Sequence, residues 1–334
     1  MALRTPEFWY QGRGVLPILL GPLGSAYGIA GRLRRKMTTP AACGVPVICV
    51  GNVVAGGAGK TPTALHVAER CQRAGIDVHF LSRGYGGREK GPLRVDPETH
   101  TAADVGDEPL LLAGAAPAWI SADRLAGARA AAEAGARLIV MDDGFQNPAL
   151  AKDLSIIAID GDAGFGNGRM IPAGPLREPP AAALARAQAV VIIGRDSFGI
   201  SGRLRESTGG RVEVMLGRLQ PGPEIERLKA RPLLAFAGIA RPEKFFNTLR
   251  DSGCELTAAR PFADHHPFSR GEIADLRGQA GDLDAALVTT AKDFVRLHRE
   301  DRNDVQVLTV RLALEDQAAL DRLLEPVLAQ AGAG

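Results

Sequence analysis

The sequence predicts an α/β protein in which a doubly wound parallel sheet is followed by a second, smaller α/β lobe. Short apolar runs rich in β-branched residues alternate with stretches of helical spacing, the pattern of successive βα units. The alternation restarts beyond about Gly222, within a stretch rich in proline and charge, LQPGPEIERLKARP. A chain of 334 residues also exceeds what one core usually serves. We predict an N-terminal segment at 1–40, a first domain at 41–222 and a smaller domain at 223–334.

The individual elements follow from local composition. Buried strands are predicted at 45–50, 78–82, 137–141, 154–159 and 189–193, and in the second lobe at 232–236, 284–289 and 304–310. Helices are predicted to begin at Lys60, with Gly75 ending that helix, and to span 107–113, 123–134, 241–252 and 315–330.

The first 40 residues differ from the rest of the chain. Phe8, Trp9 and Tyr10 precede an apolar run at 15–30, and Arg32, Arg34, Arg35 and Lys36 follow it. The run contains prolines and is short for a bilayer span. Aromatic and basic flanks around a short apolar helix favour a segment lying in the membrane interface. The alternative is a helix packed on the domain surface.

Net charge and cysteine content limit the function classes. The formal charge of +2 gives no reason to expect nucleic acid as a partner. The four cysteines form no C-x-x-C pair, which fits a reducing cytoplasm. We predict no obligate protein partner.

A glycine-rich stretch, VICVGNVVAGGAGKT, joins the first predicted strand to the first predicted helix. Glycines there let backbone N–H groups turn toward an anion, a lysine can reach the β- and γ-phosphates, and a threonine hydroxyl can bind Mg²⁺. The predicted nucleotide-binding residues are Val54, Ala55, Gly56, Gly57, Ala58, Gly59, Lys60 and Thr61. Val54 stands where the standard P-loop has glycine, and Gly56 and Gly57 could supply the flexibility instead. We predict a P-loop NTPase-like domain that uses ATP and Mg²⁺.

Two common P-loop classes fit poorly. Partition-type ATPases have a signature lysine where this chain has Ala55. GTPases use an N-K-x-D element to bind guanine, and Thr290-Ala291-Lys292-Asp293 has the wrong spacing.

Acidic residues at predicted strand and helix ends are candidates for the chemistry. Asp142 and Asp143 follow an apolar strand, the expected position of a Mg²⁺-associated carboxylate. Adjacent side chains of an extended backbone point in different directions, so we direct Asp142 to the metal and Asp143 to the acceptor or to the supporting hydrogen bonds. Asp107 opens a helix, and His265 lies in the stretch FADHHP. Phosphoryl transfer to a hydroxyl requires a group that takes the proton. The residues alone leave Asp107, Asp143 and His265 open for that role.

The ordered motifs VGNVVAGGAGKTP, LSRGYGG, GDEP, DDGFQ, GPLRE, DHHPF and TTAKD resemble those of the tetraacyldisaccharide 4′-kinases of lipid A biosynthesis. The resemblance covers most of the chain, to about Leu297. It implies transfer of the ATP γ-phosphate to the 4′-hydroxyl of tetraacyldisaccharide 1-phosphate, giving lipid IVA. It also implies a peripheral location at the cytoplasmic face of the inner membrane, with residues 1–36 on the membrane surface.

The resemblance also implies roles for particular residues. Lys60 and Thr61 match phosphate and Mg²⁺ contacts, and Asp107 matches a catalytic base paired with His265. Asp142, Asp143 and Gln146 match DDGFQ, and Arg177 and Glu178 match GPLRE; we assign Glu178 to the metal, and Asp143, Gln146, Arg177 and Arg124 to the substrate. Whether His265 or His266 pairs with the base stays open. Ala291 in TTAKD stands where glutamate is expected, which weakens any role for that element.

Two other functions are compatible with the phosphate loop. One is a P-loop enzyme acting on a soluble metabolite, with a merely structural N-terminal helix. The other is a membrane-bound ATPase that controls a protein partner, against which Ala55 counts.

Overall fold

The computed structural model describes residues 6–11 and 14–333. The predicted membrane segment therefore lies in part outside the described residues. The helices are α1 (Phe8–Gln11), α2 (Leu16–Leu19), α3 (Gly21–Met37), α4 (Lys60–Arg73), α5 (Ala102–Val105), α6 (Asp107–Ala113), α7 (Arg124–Glu133), α8 (Pro180–Leu184), α9 (Ile200–Thr208), α10 (Ile225–Leu228), α11 (Pro242–Asp251), α12 (Arg270–Asp282), α13 (Ala291–Phe294) and α14 (Gln317–Ala333). A 3₁₀ turn spans Arg299–Asp301. The strands are β1 (Val47–Gly51), β2 (Val78–Ser82), β3 (Leu93–Arg94), β4 (Ala118–Ile120), β5 (Leu138–Asp142), β6 (Leu154–Asp160), β7 (Ala189–Ile193), β8 (Glu213–Pro221), β9 (Leu233–Ala237), β10 (Leu256–Pro261), β11 (Ala286–Thr290), β12 (Val305–Leu308) and β13 (Val310–Leu314).

The larger sheet confirms the predicted doubly wound α/β fold. Within the described residues its strand order is β13-β8-β7-β6-β1-β5-β2-β4-β3, with antiparallel pairing only at the two edges. Apolar clusters cover both of its faces, as buried parallel strands require. β1 lies between β5 and β6, so the loop after β1 opens at the carboxyl ends of the parallel strands, where ligands bind in this class of fold.

The smaller sheet has the order β10-β9-β11-β12 and is parallel throughout. Its two faces are covered by separate apolar clusters that include Phe246 and Phe268. The predicted second α/β lobe is therefore present.

The end of the chain differs from the predicted C-terminal domain of 223–334. After β12 the chain passes through Thr309 into β13, which pairs antiparallel with β8 of the larger sheet. Leu320 and Leu324 of α14 are buried in the same apolar cluster as Val67 and Ala68 of α4. The second lobe is thus an insertion between β8 and β13, and α14 helps to complete the core of the first domain.

The N-terminal helices lie on the first domain. Gly24 and Gly28 of α3 are buried against Met170, where a Cβ on Gly24 would come within 2.9 Å of the Met170 carbonyl oxygen. Elsewhere α2 and α3 expose large apolar side chains: Leu16, Leu19, Leu23, Tyr27, Leu33 and Met37. Within the described part of the chain, none of the helices combines the length and apolar character needed to cross a membrane.

Candidate active site

The glycine-rich loop turns sharply into α4 at Gly59. Gly59 has φ +78°, and a Cβ there would lie 2.4 Å from Ile193 Cδ1, so both the backbone conformation and the packing require glycine. The first half of the loop pairs with the segment that carries the predicted Arg177. Val54 forms an antiparallel bridge with Leu176, and the Arg177 amide donates to the Val53 carbonyl oxygen at 2.8 Å. This pairing explains why a β-branched residue is accommodated at position 54.

Thr61 and Asp142 meet at the start of α4. The Thr61 hydroxyl donates to Asp142 Oδ2 at 2.9 Å, while Asp142 Oδ1 is buried without a hydrogen-bond partner among the described residues. Burial, together with the nearby negative charge of Glu108, raises the pKa of Asp142 to about 7. A buried carboxylate with an unused oxygen beside a hydroxyl fits a hard divalent cation. Among the described residues, however, no group of three or more His, Cys, Asp or Glu side chains is arranged to hold a metal ion.

Asp143 points to a different set of partners from its neighbour. It lies 3.8 Å from Lys60 and accepts a hydrogen bond from Arg177 at 2.8 Å. Burial opposes ionisation, but the Lys60 and Arg177 charges hold the pKa of Asp143 below its usual value. Its φ of +55° is left-handed, a conformation that costs energy for a residue with a Cβ and often marks functional sites.

Glu178 is buried and lies close to two arginines. Its carboxylate pairs with Arg186 and lies 3.5 Å from Arg35 of α3. The Gln146 amide donates to it at 3.1 Å and to the Asn52 carbonyl oxygen at 2.8 Å. These contacts join the DDGFQ and GPLRE elements beside the phosphate loop and leave Glu178 only 1% exposed.

Asp107 opens α6 and meets the second lobe. His265 Nδ1 lies 3.1 Å from Asp107 Oδ2, and the Glu108 amide donates to Oδ1 at 3.0 Å. His266 turns instead to Glu272, at 2.9 Å, and stacks among Phe262 and Phe268. The structure thus pairs His265, and not His266, with Asp107. His265 also has a left-handed φ of +57°, with its amide donating to the Gly238 carbonyl oxygen at 3.0 Å.

Two residues of the second lobe that the sequence did not single out also reach this carboxylate. Arg296 donates to Asp107 Oδ2 through Nε, at 2.9 Å, and through Nη2. Lys292 Nζ lies 4.0 Å from Asp107 and 2.6 Å from Glu108. Lys292 and Arg296 are four residues apart, a spacing that places two side chains on the same side of a helix. This spacing is the feature of the sequence from which a shared partner could have been predicted.

Arg124 lies at the start of α7 and is 5% exposed. Its Nη1 donates to the Ser121 carbonyl oxygen, and its Nε has no hydrogen-bond partner among the described residues. Burial and the nearby charge of Arg83 lower the pKa of Arg124 to about 10, while Asp143 acts in the opposite direction. Arg124 is therefore within electrostatic reach of the Asp143 group.

The predicted residues form two connected groups. Lys60, Thr61, Asp142, Asp143, Gln146, Arg177 and Glu178 are linked around the phosphate loop, and Asp107 pairs with His265 across the lobes. The influence of Glu108 on Asp142 connects the groups electrostatically. Such an arrangement can bind phosphates on one side and remove a proton on the other.

Comparisons with known proteins point to one family. A family model described as tetraacyldisaccharide-1-P 4′-kinase matches residues 16–329. The chain is 56% identical over 331 residues to the tetraacyldisaccharide 4′-kinase of Rhodospirillum centenum, covering 98% of this chain and 97% of that protein. It is 49% identical over 326 residues to the Rhodospirillum rubrum protein of the same name, covering 98% of each. A crystal structure described as the "apo" form of LpxK from Aquifex aeolicus in complex with ATP is similar with a TM-score of 0.75 at 26% identity, covering 94% of this chain and 100% of that one.

Proposed function

The chain belongs to the tetraacyldisaccharide-1-P 4′-kinase family, and on that premise we propose that it transfers the γ-phosphate of ATP to the 4′-hydroxyl of tetraacyldisaccharide 1-phosphate, giving lipid IVA. It is accordingly an ATP-dependent kinase of lipid A biosynthesis. One observation carries the catalytic assignment. Lys60 and Thr61 of the phosphate loop lie beside Asp143 and Asp142, and the negative charge of Glu108, the neighbour of Asp107 in the Asp107–His265 pair, reaches Asp142.

The phosphate side of the reaction belongs to the loop and its neighbours. Lys60 and the backbone amides at the start of α4 stabilise negative charge on the transferred group. Thr61 and Asp142 would hold Mg²⁺, because Asp142 has a buried oxygen without a partner beside the Thr61 hydroxyl. When bound, the cation would neutralise charge on the phosphate oxygens.

The acceptor side belongs to Asp107 and His265. The 4′-hydroxyl oxygen attacks the γ-phosphorus, the bond to the β-phosphate oxygen breaks, and ADP leaves. The hydroxyl proton passes to the Asp107–His265 pair, with His265 orienting the carboxylate through their contact at 3.1 Å. No phosphoenzyme is required, because nucleophile and phosphate are held together in one site.

The remaining site residues are assigned to the anionic sugar substrate. Arg124 and Arg177 supply positive charge. Asp143 and Gln146 orient Arg177 by accepting hydrogen bonds from it at 2.8 Å and 3.5 Å. Glu178 is better suited to fixing Gln146 and Arg186 than to binding the metal, since its carboxylate already carries these partners.

We assign α2 and α3 to the surface of a membrane, where an acylated substrate resides. Large apolar side chains are exposed along both helices from Leu16 to Met37, and Arg34 and Lys36 are exposed at the end of α3. An apolar stripe with cations at its border suits insertion between anionic lipid headgroups. We place the protein peripherally at the cytoplasmic face of the inner membrane, where ATP is supplied.

The proposal is tested by transfer of labelled γ-phosphate from ATP to tetraacyldisaccharide 1-phosphate in mixed micelles. We expect a labelled lipid from the wild-type protein and at least about a 100-fold loss in Lys60→Ala, the scale of losing one preorganised charge contact. No labelled lipid from a folded, ATP-binding protein would overturn the proposed function.

A further inference from the structure

The proposed base is surrounded by groups from the second lobe. Asp107 is 4% exposed and lies in the first domain, yet its Oδ2 faces His265, Lys292 and Arg296, all of the other lobe. From its own helix it receives the Glu108 amide on Oδ1. The orientation of this carboxylate therefore depends on the position of the second lobe.

Arg296 makes the most extensive of these contacts. Two of its nitrogens, Nε and Nη2, donate to the same Asp107 oxygen, a fork that a lysine cannot reproduce. Its third nitrogen, Nη1, donates at 2.7 Å to the Gly238 carbonyl oxygen and at 2.7 Å to Asp293 Oδ1. The side chain of Arg296 is 5% exposed, so water screens these interactions weakly.

The acceptors of Arg296 are themselves fixed in the second lobe. Asp293 is fully buried, and its carboxylate accepts hydrogen bonds from the Gly238 amide at 3.1 Å and from the Thr290 hydroxyl at 2.7 Å. The Gly238 carbonyl oxygen also accepts a hydrogen bond from the His265 amide. One small network therefore fixes both the arginine and the histidine that face Asp107.

We propose that Arg296 is the positioning residue of the proposed reaction: it orients the Asp107 carboxylate beside His265 and keeps it ionised when the two lobes are together. A guanidinium does not lose its proton in proteins, so Arg296 acts through Asp107 and accepts no proton itself. This proposal rests on the proposed function.

Electrostatics support the same role. Burial disfavours the charged form of Asp107, but the hydrogen bond from His265 and the charges of Lys292 and Arg296 outweigh it and hold the pKa of Asp107 well below its usual range. Of the nearby acidic groups, Glu108 is paired with Lys292, Asp293 is paired with Arg296, and Asp264 lies 3.9 Å from His265 Nε2. Removing the Arg296 charge should therefore raise the pKa of Asp107.

A purely structural role for Arg296 is the competing explanation. Arg277 provides a matched control, because it lies in the same lobe and pairs at 2.9 Å with Asp301, which is 6% exposed. Among the described residues the polar partners of Arg277 are Asp301 and Asp304, and Asp107 is not one of them. Arg277→Gln should lower thermal stability comparably while leaving the pH dependence of kcat unchanged.

The experiment measures phosphate transfer from pH 5 to 9 for wild type, Arg296→Gln, Arg296→Lys, Arg277→Gln, Asp107→Asn and the double variant Arg296→Gln/Asp107→Asn. We expect Arg296→Gln to lower kcat about 10- to 100-fold with the KM for ATP changed less than about threefold, the pattern of a lost transition-state contact. The wild-type protein keeps Asp107 ionised throughout this pH range, so its kcat should show no decline from protonation of Asp107. Arg296→Gln should show a decline of kcat toward pH 5, because protonation of Asp107 is no longer opposed by the guanidinium. Arg296→Lys keeps the positive charge but loses the paired hydrogen bonds to Asp107. Its kcat and the pH dependence of its kcat should both lie between those of wild type and Arg296→Gln.

The double variant separates the explanations. If Arg296 acts through Asp107, adding Arg296→Gln to Asp107→Asn changes kcat by less than about threefold. Additive losses, or a pH profile of Arg296→Gln that superimposes on the wild-type profile, would overturn the positioning role. Absence of transfer by the wild-type protein would instead remove the proposed function, and the role of Arg296 with it.

Discussion

Adjacent Asp142 and Asp143 show how far two identical side chains can diverge. Asp142 belongs to β5 and points into the domain, where burial raises its pKa to about 7. Asp143 leaves the strand with a left-handed φ and meets Lys60 and Arg177, which lower its pKa. The sequence predicted different tasks for these residues from the alternation of side chains along an extended backbone. Their opposite electrostatics required the tertiary partners.

This difference predicts opposite effects on stability at pH 8 without ligand. The folded pKa of Asp142 lies above its unfolded value, so ionising it at pH 8 destabilises the folded protein; we expect Asp142→Asn to raise the Tm by about 2–4 °C, the shift of roughly 1 kcal/mol. The folded pKa of Asp143 is depressed, so its stabilisation is present at pH 8 and is lost on acidification; Asp143→Asn should lower the Tm. Calorimetry in metal-free buffer provides the measurement. A lower Tm for Asp142→Asn would show that the buried Asp142 carboxylate does not destabilise the unliganded folded protein.

His265 and His266 show what sequence could not decide. The sequence predicted that a histidine pairs with the catalytic aspartate, without deciding which of the two. In the folded protein the imidazole of His265 lies beside Asp107 and that of His266 beside Glu272. The left-handed backbone at His265 produces this divergence, and side-chain chemistry gives no sign of it.

We predict that His265→Gln lowers kcat by about 100- to 10,000-fold, the range of general acid–base contributions. His266→Gln should change kcat less than about threefold, because that ring contacts Glu272 and two phenylalanines away from Asp107. Labelled phosphate transfer at pH 8 compares the two, with thermal melting as a check on folding. Equal losses from both substitutions would contradict the distinction.

At the scale of elements, α3 has two faces with different tasks. Gly24 and Gly28 allow close approach to Met170, while Ile29 and Leu33, on the other side of the same helix, meet solvent. Arg35, near the end of α3, lies 3.5 Å from Glu178 and so connects this helix to the site. The sequence predicted an apolar segment with basic flanks; the division into faces came from the structure, because glycine contributes little to an amphipathic pattern.

The exposed face of α2 and α3 should carry membrane binding. We expect Leu19→Ser/Leu23→Ser to lower the affinity for anionic phospholipid vesicles, measured by co-sedimentation, at least about 100-fold, since each buried leucine contributes about 1.5–3 kcal/mol. Phe198→Ser, which replaces an exposed aromatic residue outside this segment, serves as the control and should sediment like wild type. Unchanged sedimentation of the double variant would contradict membrane binding by the exposed apolar side chains of α2 and α3.

The whole molecule is a larger domain with the second lobe inserted near its end. The sequence predicted the βα alternation because apolar periodicity is local. It could not predict that β12 and β13, separated by Thr309 alone, join different sheets, since an apolar pattern does not specify its partner strand. The return of β13 and α14 anchors the lobe at both of its ends.

The two lobes also meet at a second place, beside the phosphate loop. Lys244 of α11 lies 3.0 Å from Asp160 and 3.3 Å from Asp162, and Arg241 lies 3.1 Å from Asp160. The Tyr10 hydroxyl, which interacts with Arg241, is 3.8 Å from the position of a Cβ on Gly56. Charge pairs therefore connect the two lobes at two places, here and at Asp107.

Removing the ion pairs of Lys244 with Asp160 and Asp162 should lower the fraction of molecules in which the two lobes are in contact. Because apparent affinity falls in proportion to the fraction of protein in the binding-competent state, we expect Lys244→Gln to raise the KM for ATP about 2- to 5-fold with little change in kcat. Lys229→Gln removes a lysine that pairs with Glu226 within the second lobe, at 2.7 Å, and should leave the KM unchanged. Hydrogen–deuterium exchange should increase around 158–164 and 241–246 in Lys244→Gln only. If exchange rises while the KM stays constant, the pairs hold the surfaces together locally, and closure depends on the Asp107–Arg296 contact instead.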